Sequence, residues 1–532
     1  MKNLPLGVQT FKEVISGNHI YADKTKYIYN LLNRTKYNFL SHPRRFGKSL
    51  LLDTIAEVFG GDRELFRGLW IYDSDYEFEK HPVIRLDMSA IATETPEILK
   101  KSLASSLKKR ISDEALAIDD EIPSDMFKHL IEGLCEKYQK RVVVLIDEYD
   151  KPILDHLDNT ELAEANRRVI RGFYGILKPM DQYLRFSFVT GVSKFTKTSI
   201  FSELNNLNDI TMSEDYANIC GIPVESLDEC FGEHIRALSE HKNFKQYDSL
   251  GDEILSWYDG YSWDGESRVI NPFSLICFFQ QKRFGSFWYA SGTPKFLVGM
   301  IKKKPESYLA LNNLKLTERL LDSFEMEKME IEPLLFQTGY LTVKEVLPTR
   351  GSPVYLLDIP NFEVRDAFSM QVLSALTEGG DTKTEQTQIE IKEALEAGDL
   401  QKMLDLLRAL FASIPYNLHV ELEAYYHSIF YVAMTLLGFD MGLEVSSSRG
   451  KIDAALELGD KVYVMEFKYE KCPLDESPEN KKLLFEKALG EAMAQIKNKK
   501  YSERYKGRGK AIYHAAFAFL GRDDIEMQFD KI

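Results

Sequence analysis

Apolar runs and polar breaks alternate along the first part of the chain in the order helix, strand, helix, strand. Within residues 20–35, Tyr27, Ile28, Leu31 and Leu32 recur at helical spacing and lead into a short apolar run, Tyr37-Asn38-Phe39-Leu40, that predicts a first strand. Leu50, Leu51, Leu52, Ile55, Val58 and Phe59 then form the stripe of a helix opened by Ser49 and closed by Gly60-Gly61. A second strand is predicted over Val83-Ile84-Arg85-Leu86-Asp87-Met88, and Thr95-Pro96-Glu97 caps a helix through Leu99, Leu103, Leu107 and Ile111. The run Val142-Val143-Val144-Leu145-Ile146 is apolar throughout, as a strand covered on both faces of a parallel sheet must be. A helix through Glu161, Ala165, Val169, Phe173, Ile176 and Leu177 precedes a fourth strand at residues 184–191. This alternation predicts an α/β fold built on a parallel sheet.

From about Ser213 to Leu376 helical patterns dominate, with turns expected at Tyr258-Asp259-Gly260-Tyr261-Ser262-Trp263 and at Asn271-Pro272-Phe273-Ser274. Strand-like runs at residues 340–344 and 354–358 follow a helix near Ile331 to Phe336, the order of a small winged-helix unit. Residues 377–388 carry no apolar side chain and predict an exposed link between domains. A helical stretch with Leu395, Met403, Leu404, Leu407 and Leu410 comes next. Two further strands, residues 452–458 and 461–468, are separated only by Gly459-Asp460, a favoured hairpin turn.

Composition narrows the class. A chain of 532 residues exceeds a single core, and 44% hydrophobic with 28% charged residues is ordinary for a globular protein. Cys135, Cys220, Cys230, Cys277 and Cys472 are scattered without metal-ligand spacing, which argues for a reducing cytoplasm. The first residues lack the apolar core of a signal peptide, and no run reaches membrane-spanning length, so a cytoplasmic location without membrane partners is expected. A net charge of −15 excludes a uniformly basic nucleic-acid footprint. Locally, however, the Lys481–Lys510 region holds ten Lys or Arg against three Glu.

The first chemical signal lies between strand and helix: His42-Pro43-Arg44-Arg45-Phe46-Gly47-Lys48-Ser49. It reads as a phosphate loop in which Gly47 allows close approach, Lys48 reaches the terminal phosphates of ATP and Ser49 ligates Mg²⁺. The loop departs from the usual pattern at its first position, where His42 replaces glycine. The apolar strand ends in Asp147-Glu148, at the edge where α/β sheets bind ligands. Asp147 is assigned to the Mg²⁺ ion and Glu148 to the attacking water. Thr190 or Ser193, at the end of the fourth strand, is a candidate sensor of the γ-phosphate or a simple turn hydroxyl.

The second signal is the terminal hairpin. If Gly459-Asp460 closes it, Leu458 faces Lys461 and Asp453 faces Glu466, with directly opposed Cβ atoms about 5 Å apart on one sheet face. Lys468 shares that face. Two opposed carboxylates need a proton, a cation or Lys468 to coexist, and Mg²⁺, or Mn²⁺ in its place, suits their oxygen ligands. Apolar side chains on both faces of the strand predict that Glu466 is buried.

Gly450-Lys451-Ile452-Asp453 followed by Glu466-Phe467-Lys468 resembles the Asp and Glu-x-Lys motif of the PD-(D/E)XK nuclease superfamily, with Ile452 where proline is usual. Glu423 in Glu423-Ala424-Tyr425-Tyr426-His427 resembles that superfamily's first-helix acid, and Gln495 with Tyr501 its later Gln-containing helix. Tyr21-Ala22-Asp23-Lys24-Thr25, Pro43-Arg44-Arg45-Phe46-Gly47-Lys48-Ser49, Asp147-Glu148-Tyr149-Asp150 and Phe336-Gln337-Thr338-Gly339-Tyr340-Leu341 resemble the AAA-ATPase-like family often fused to such a nuclease. The resemblance implies a P-loop domain of the ASCE type at 1–212, a helical lid and winged-helix region at 213–376, a linker and helical segment at 377–415 and a nuclease-like domain at 416–532. It implies catalytic roles for Asp453, Glu466, Lys468, Glu423 and Gln495, and a nucleic acid, DNA foremost, lying along the basic region. Three readings stay open: an ATP-coupled nuclease, a nucleotide-regulated binding module whose nuclease fold has lost turnover, and an ATP-driven remodeller that assembles as a homo-oligomer.

Overall fold

The computed structural model describes residues 1–194, 207–288, 314–321, 331–376, 380–413, 442–447, 450–458, 460–473, 476–499, 501–506, 509–521 and 524–532. They fall into two compact units, one within Met1–Gly292 and Asn312–Val364 and the other within Arg365–Ile532. The polar segment predicted to be an exposed link is helical from its fourth residue, within Gly380–Ala397. Its Thr, Glu, Gln and Lys side chains are compatible with a solvated helix as well as with a loop, and composition alone does not separate the two.

In the first unit, β1 (Tyr37–Ser41), β2 (Val83–Asp87), β3 (Val142–Asp147), β4 (Leu184–Gly191) and β5 (Asn208–Asp209) pair in parallel in the order β2-β3-β4-β1-β5. Strand β4 thus lies between the strand that leads to Gly47-Lys48-Ser49 and the strand that ends in Asp147, as an ASCE-type sheet requires. Strand β3 is buried up to its last residue, in keeping with its unbroken apolar run. Thr95 caps the helix Pro96–Asp113 through Ile98 N–H, and Gly61, at φ +84°, ends the helix Lys48–Gly60, both as the sequence predicts. A further helix, Pro123–Tyr138, buries Met126, Phe127, Leu130, Ile131 and Leu134.

Beyond the sheet, β6 (Ile222–Pro223) and β7 (Val269–Ile270) form a short antiparallel pair. Around them the helices Leu227–Ser239, Leu250–Tyr258 and Pro272–Gln281 share an apolar core with Phe231, Ile254, Tyr258 and Phe278 at its centre. The turn expected at Asn271-Pro272-Phe273-Ser274 is instead a helix start. Asn271 accepts hydrogen bonds from Phe273 and Ser274 N–H, and Pro272 occupies the first helical position, where its missing N–H costs nothing. The helix Ile331–Thr338 is followed by an antiparallel sheet of β8 (Leu314–Thr317), β9 (Thr342–Leu347) and β10 (Val354–Asp358), in the order β8-β10-β9.

The second unit is a mixed sheet, β11 (Gly442–Ser447), β12 (Gly450–Leu458), β13 (Lys461–Glu470), β14 (Ala511–Leu520) and β15 (Asp524–Lys531), in sequential order. Only β13 and β14 run parallel. The helix Pro478–Asn498 covers one face, its Ala492, Met493 and Ile496 packing on Val462, Val464 and Ala516. The helices Gly380–Ala397 and Leu400–Ala412 cover the other, where Tyr463 donates to the Leu395 carbonyl and Phe411 lies 5.6 Å from Phe519. Alternation along β13 therefore sends Val462, Val464 and Glu466 to one face and Tyr463 and Phe467 to the other.

Candidate functional sites

The helix Lys48–Gly60 starts from Gly47, whose φ of +91° is a left-handed conformation open to glycine. No side chain caps this end, which leaves the N–H groups of the first turn available to an anion. Lys48 is buried and its ammonium donates to the His42 and Pro43 carbonyls, each at 2.7 Å, so that the loop wraps around its own cation. His42, at the departure from the usual motif, stacks on Trp263 with ring centres 3.8 Å apart and 12° between planes. Burial, and after it the Lys48 charge, push the imidazole down to about 3, so it stays neutral at every physiological pH. Trp288 Nε1 donates to the Arg44 carbonyl at 3.2 Å. At Gly339 (φ +92°) an added Cβ would stand 2.8 Å from Pro43 Cβ. The loop is thus braced by aromatic and glycine contacts from residues well downstream.

Arg44, Arg45, Phe46, Gly47, Lys48 and Ser49 line a cavity of about 510 Å³, within the range of cofactor sites (about 300–1,000 Å³). Asp147 and Glu148 border it from the end of β3. Its other wall is largely apolar, with Ile20, Ile219, Ile222, Phe231 and Phe273. Asp147 Oδ1 accepts from Thr190 Oγ1 at 2.7 Å and from Glu148 N–H at 3.0 Å. Thr190 is wholly buried, so the candidate phosphate sensor orients Asp147 and leaves its other oxygen for a cation. Ser193, the other candidate, donates through both N–H and Oγ to the buried Asp150. Glu148 holds φ +51°, an uncommon conformation for a non-glycine residue, and burial raises its carboxyl above the ordinary range while Lys48 opposes that rise. Tyr21, Lys24 and Cys220 also line the cavity, and nothing in their own neighbourhoods of the sequence marks them as lining.

The hairpin register follows the turn. Leu458 pairs with Lys461 and Ala454 with Met465, and one step further sets Asp453 opposite Glu466. Asp453 Oδ2 accepts from Phe467 N–H at 3.0 Å. Glu466 is fully buried; its Oε1 accepts from Gln495 Nε2 and has Lys468 Nζ 3.5 Å away, whereas its Oε2 has no hydrogen-bond partner. Each carboxylate therefore keeps one oxygen anchored and offers the other on the same sheet face, an arrangement that fits a hard divalent cation. No group of three or more His, Cys, Asp or Glu side chains gathers among the described residues, and Glu423 lies outside them.

A family model described as a predicted AAA-ATPase matches residues 5–201, and one for the PD-(D/E)XK nuclease superfamily matches residues 421–528. The chain is also 36% identical over 520 residues, 96% of its length and 95% of the relative's, to the "uncharacterized protein in vnfD 5'region" of Azotobacter chroococcum mcd 1. The chain belongs to the AAA-ATPase-like proteins that carry a C-terminal PD-(D/E)XK nuclease superfamily domain. In this AAA-ATPase-like protein no helix among the described residues is long and apolar enough to cross a membrane.

Within its nuclease-superfamily domain, burial and then the neighbouring Asp453 charge raise the Glu466 carboxyl to about 7. The folded state thus holds this proton more tightly than the unfolded chain does. Without metal, the stability Glu466 contributes is complete below its ordinary value of 4.5 and is lost as pH rises through about 7. Metal-free protein should accordingly lose melting temperature between pH 6 and pH 8 by more than its Glu466→Gln variant does. Mg²⁺ or Mn²⁺ should restore the wild type at pH 8, as differential scanning fluorimetry would record; equal pH slopes for both proteins would refute the assignment.

The basic region forms the helix Pro478–Asn498 and the turn Tyr501–Tyr505. Lys481, Lys487, Lys497 and Lys510 pair with Asp524, Glu470, Asp530 and Glu457 of neighbouring strands, and Lys506 with Glu503. These pairs are largely solvent-facing, worth at most about 1 kcal/mol each, and can exchange a carboxylate for a phosphate.

Proposed function

We propose that this protein binds ATP with Mg²⁺ in the cavity beside Lys48 and hydrolyses phosphodiester bonds of nucleic acid, DNA foremost, at the Asp453–Glu466 pair, with the ATP state setting the nuclease rate. The observation that carries the nuclease reading is the buried, partnerless Glu466 Oε2 facing Asp453. Burial of an ionisable oxygen without a partner is costly, and a bound cation removes that cost. Gln495 and the Phe467 N–H fix the two carboxylates, while the Lys468 ammonium stands where it can orient an attacking water and offset charge on the scissile phosphate. A divalent cation held at this pair supplies Lewis acidity, lowering the pKa of a bound water and balancing phosphate charge. In the first unit, Ser49 and Asp147 would hold the cation that accompanies ATP, and Glu148 is placed to polarise water for its hydrolysis.

The full chain, supplied with Mg²⁺ or Mn²⁺ and with single- and double-stranded DNA and RNA in parallel, should cleave DNA, and its rate should change when ATP is replaced by a non-hydrolysable analogue. Binding of DNA without cleavage under every metal condition would favour the binding module with an inactive nuclease fold.

A further inference from the structure

The Tyr21-Ala22-Asp23-Lys24-Thr25 segment contributes a second lysine to the cavity wall, and its chemistry is not that of a surface cation. Lys24 is 8% exposed. Its ammonium donates to the Asn218 carbonyl at 2.7 Å, and no carboxylate lies within ion-pair distance of it among the described residues. The adjacent Asp23 is engaged elsewhere: one oxygen accepts from Thr25 N–H and Oγ1, the other from Trp70 N–H. An ammonium carries three protons, so the Asn218 carbonyl leaves the charge and two donors unanswered. A buried, unpaired cation destabilises a fold, and it is retained where an anion arrives to complete it. Burial lowers the Lys24 ammonium to about 8, in keeping with a site that lacks its counter-charge.

The cavity indicates which anion. Lys48 marks the phosphate-loop end, and Cys220 stands close enough to feel the charges of both lysines. Lys24 therefore sits on the far side of Cys220, toward the apolar wall of Ile20, Ile219 and Phe231, which suits a base rather than a phosphate. Between a base on that wall and terminal phosphates at Lys48 lies the first phosphate of the nucleotide. We infer that Lys24 is a nucleotide-binding residue whose ammonium pairs with the α-phosphate of a nucleotide held in the Lys48 cavity. The inference rests on the ATP-binding reading above.

Titration calorimetry on the full chain with ATP and with AMP separates the two. Lys24→Met should bind both about tenfold to a hundredfold more weakly, the range of a lost charge-assisted hydrogen bond. Its nucleotide-free melting temperature should stay the same or rise, because methionine removes a buried charge; a purely structural lysine would give the reverse. In the wild type, an N-hydroxysuccinimide ester should acylate Lys24, and AMP should suppress that labelling, read on the peptide containing residue 24. If wild-type protein binds no ATP, the ATP-binding reading fails. If it binds ATP but Lys24→Met retains its affinity, or loses affinity for ATP and not AMP, or AMP leaves the labelling of Lys24 unchanged, the α-phosphate assignment is overturned.

Discussion

Glu466→Gln should abolish metal-dependent DNA cleavage, lowering the rate by about a thousandfold or more, since metal charge stabilisation is worth several kcal/mol and about 1.4 kcal/mol is tenfold. The substitution preserves shape and volume and leaves an amide where the partnerless Oε2 stands, so a loss cannot be laid to a collapsed core. Asp453→Ala should act as strongly, removing the second ligand while Phe467 N–H loses its acceptor. Because the two carboxylates work on one cation, the double variant should fall little below either single one. A gel-based cleavage assay with Mn²⁺ checks this, with DNA retention as the control for an intact fold. Retained cleavage in both single variants would exclude this pair as the site.

Lys48→Ala should weaken ATP binding by about a hundredfold or more, given about 1.5–3 kcal/mol for each hydrogen bond to a charged group, and should eliminate any ATP hydrolysis. The buried ammonium holds the loop closed on the His42 and Pro43 carbonyls, so its removal strips a phosphate ligand and loosens the loop together. Calorimetry with ATP measures the first effect and the melting temperature the second. The same variant reports on coupling: a nuclease rate that no longer responds to ATP would tie the response to this cavity, and an unchanged response would place it elsewhere.

The parts of the fold that read directly from the sequence are those governed by local rules. The unbroken apolar run at 142–146 forms the central buried strand, and the Gly-Asp turn fixes the register that brings Asp453 opposite Glu466. The helix start at Asn271-Pro272 was equally local, but Asn-Pro favours turns and helix caps alike, and only the apolar stripe after it decides between them. What local rules miss is assembled from distant segments. Thr190 is legible as a hydroxyl at a strand end, yet its bond to Asp147 exists only because β4 lies beside β3. The cavity wall draws on residues 5–9, 20–24, 219–222 and 272–276, which share no sequence signal. The AAA-ATPase-like and nuclease-superfamily assignments rested on short motifs, and both are matched by family models over longer spans.

The stack of His42 on Trp263, together with Trp288 and Gly339 against the same turn, spreads the phosphate grip over the chain from Pro5 to Gly339. The span matched by the ATPase model, residues 5–201, is therefore a signature rather than an autonomous module. Cut off at that border, it would keep the motif and lose its buttress. Inherited changes around Trp263 or Gly339, far from any recognisable signature, would surface as defects in handling ATP.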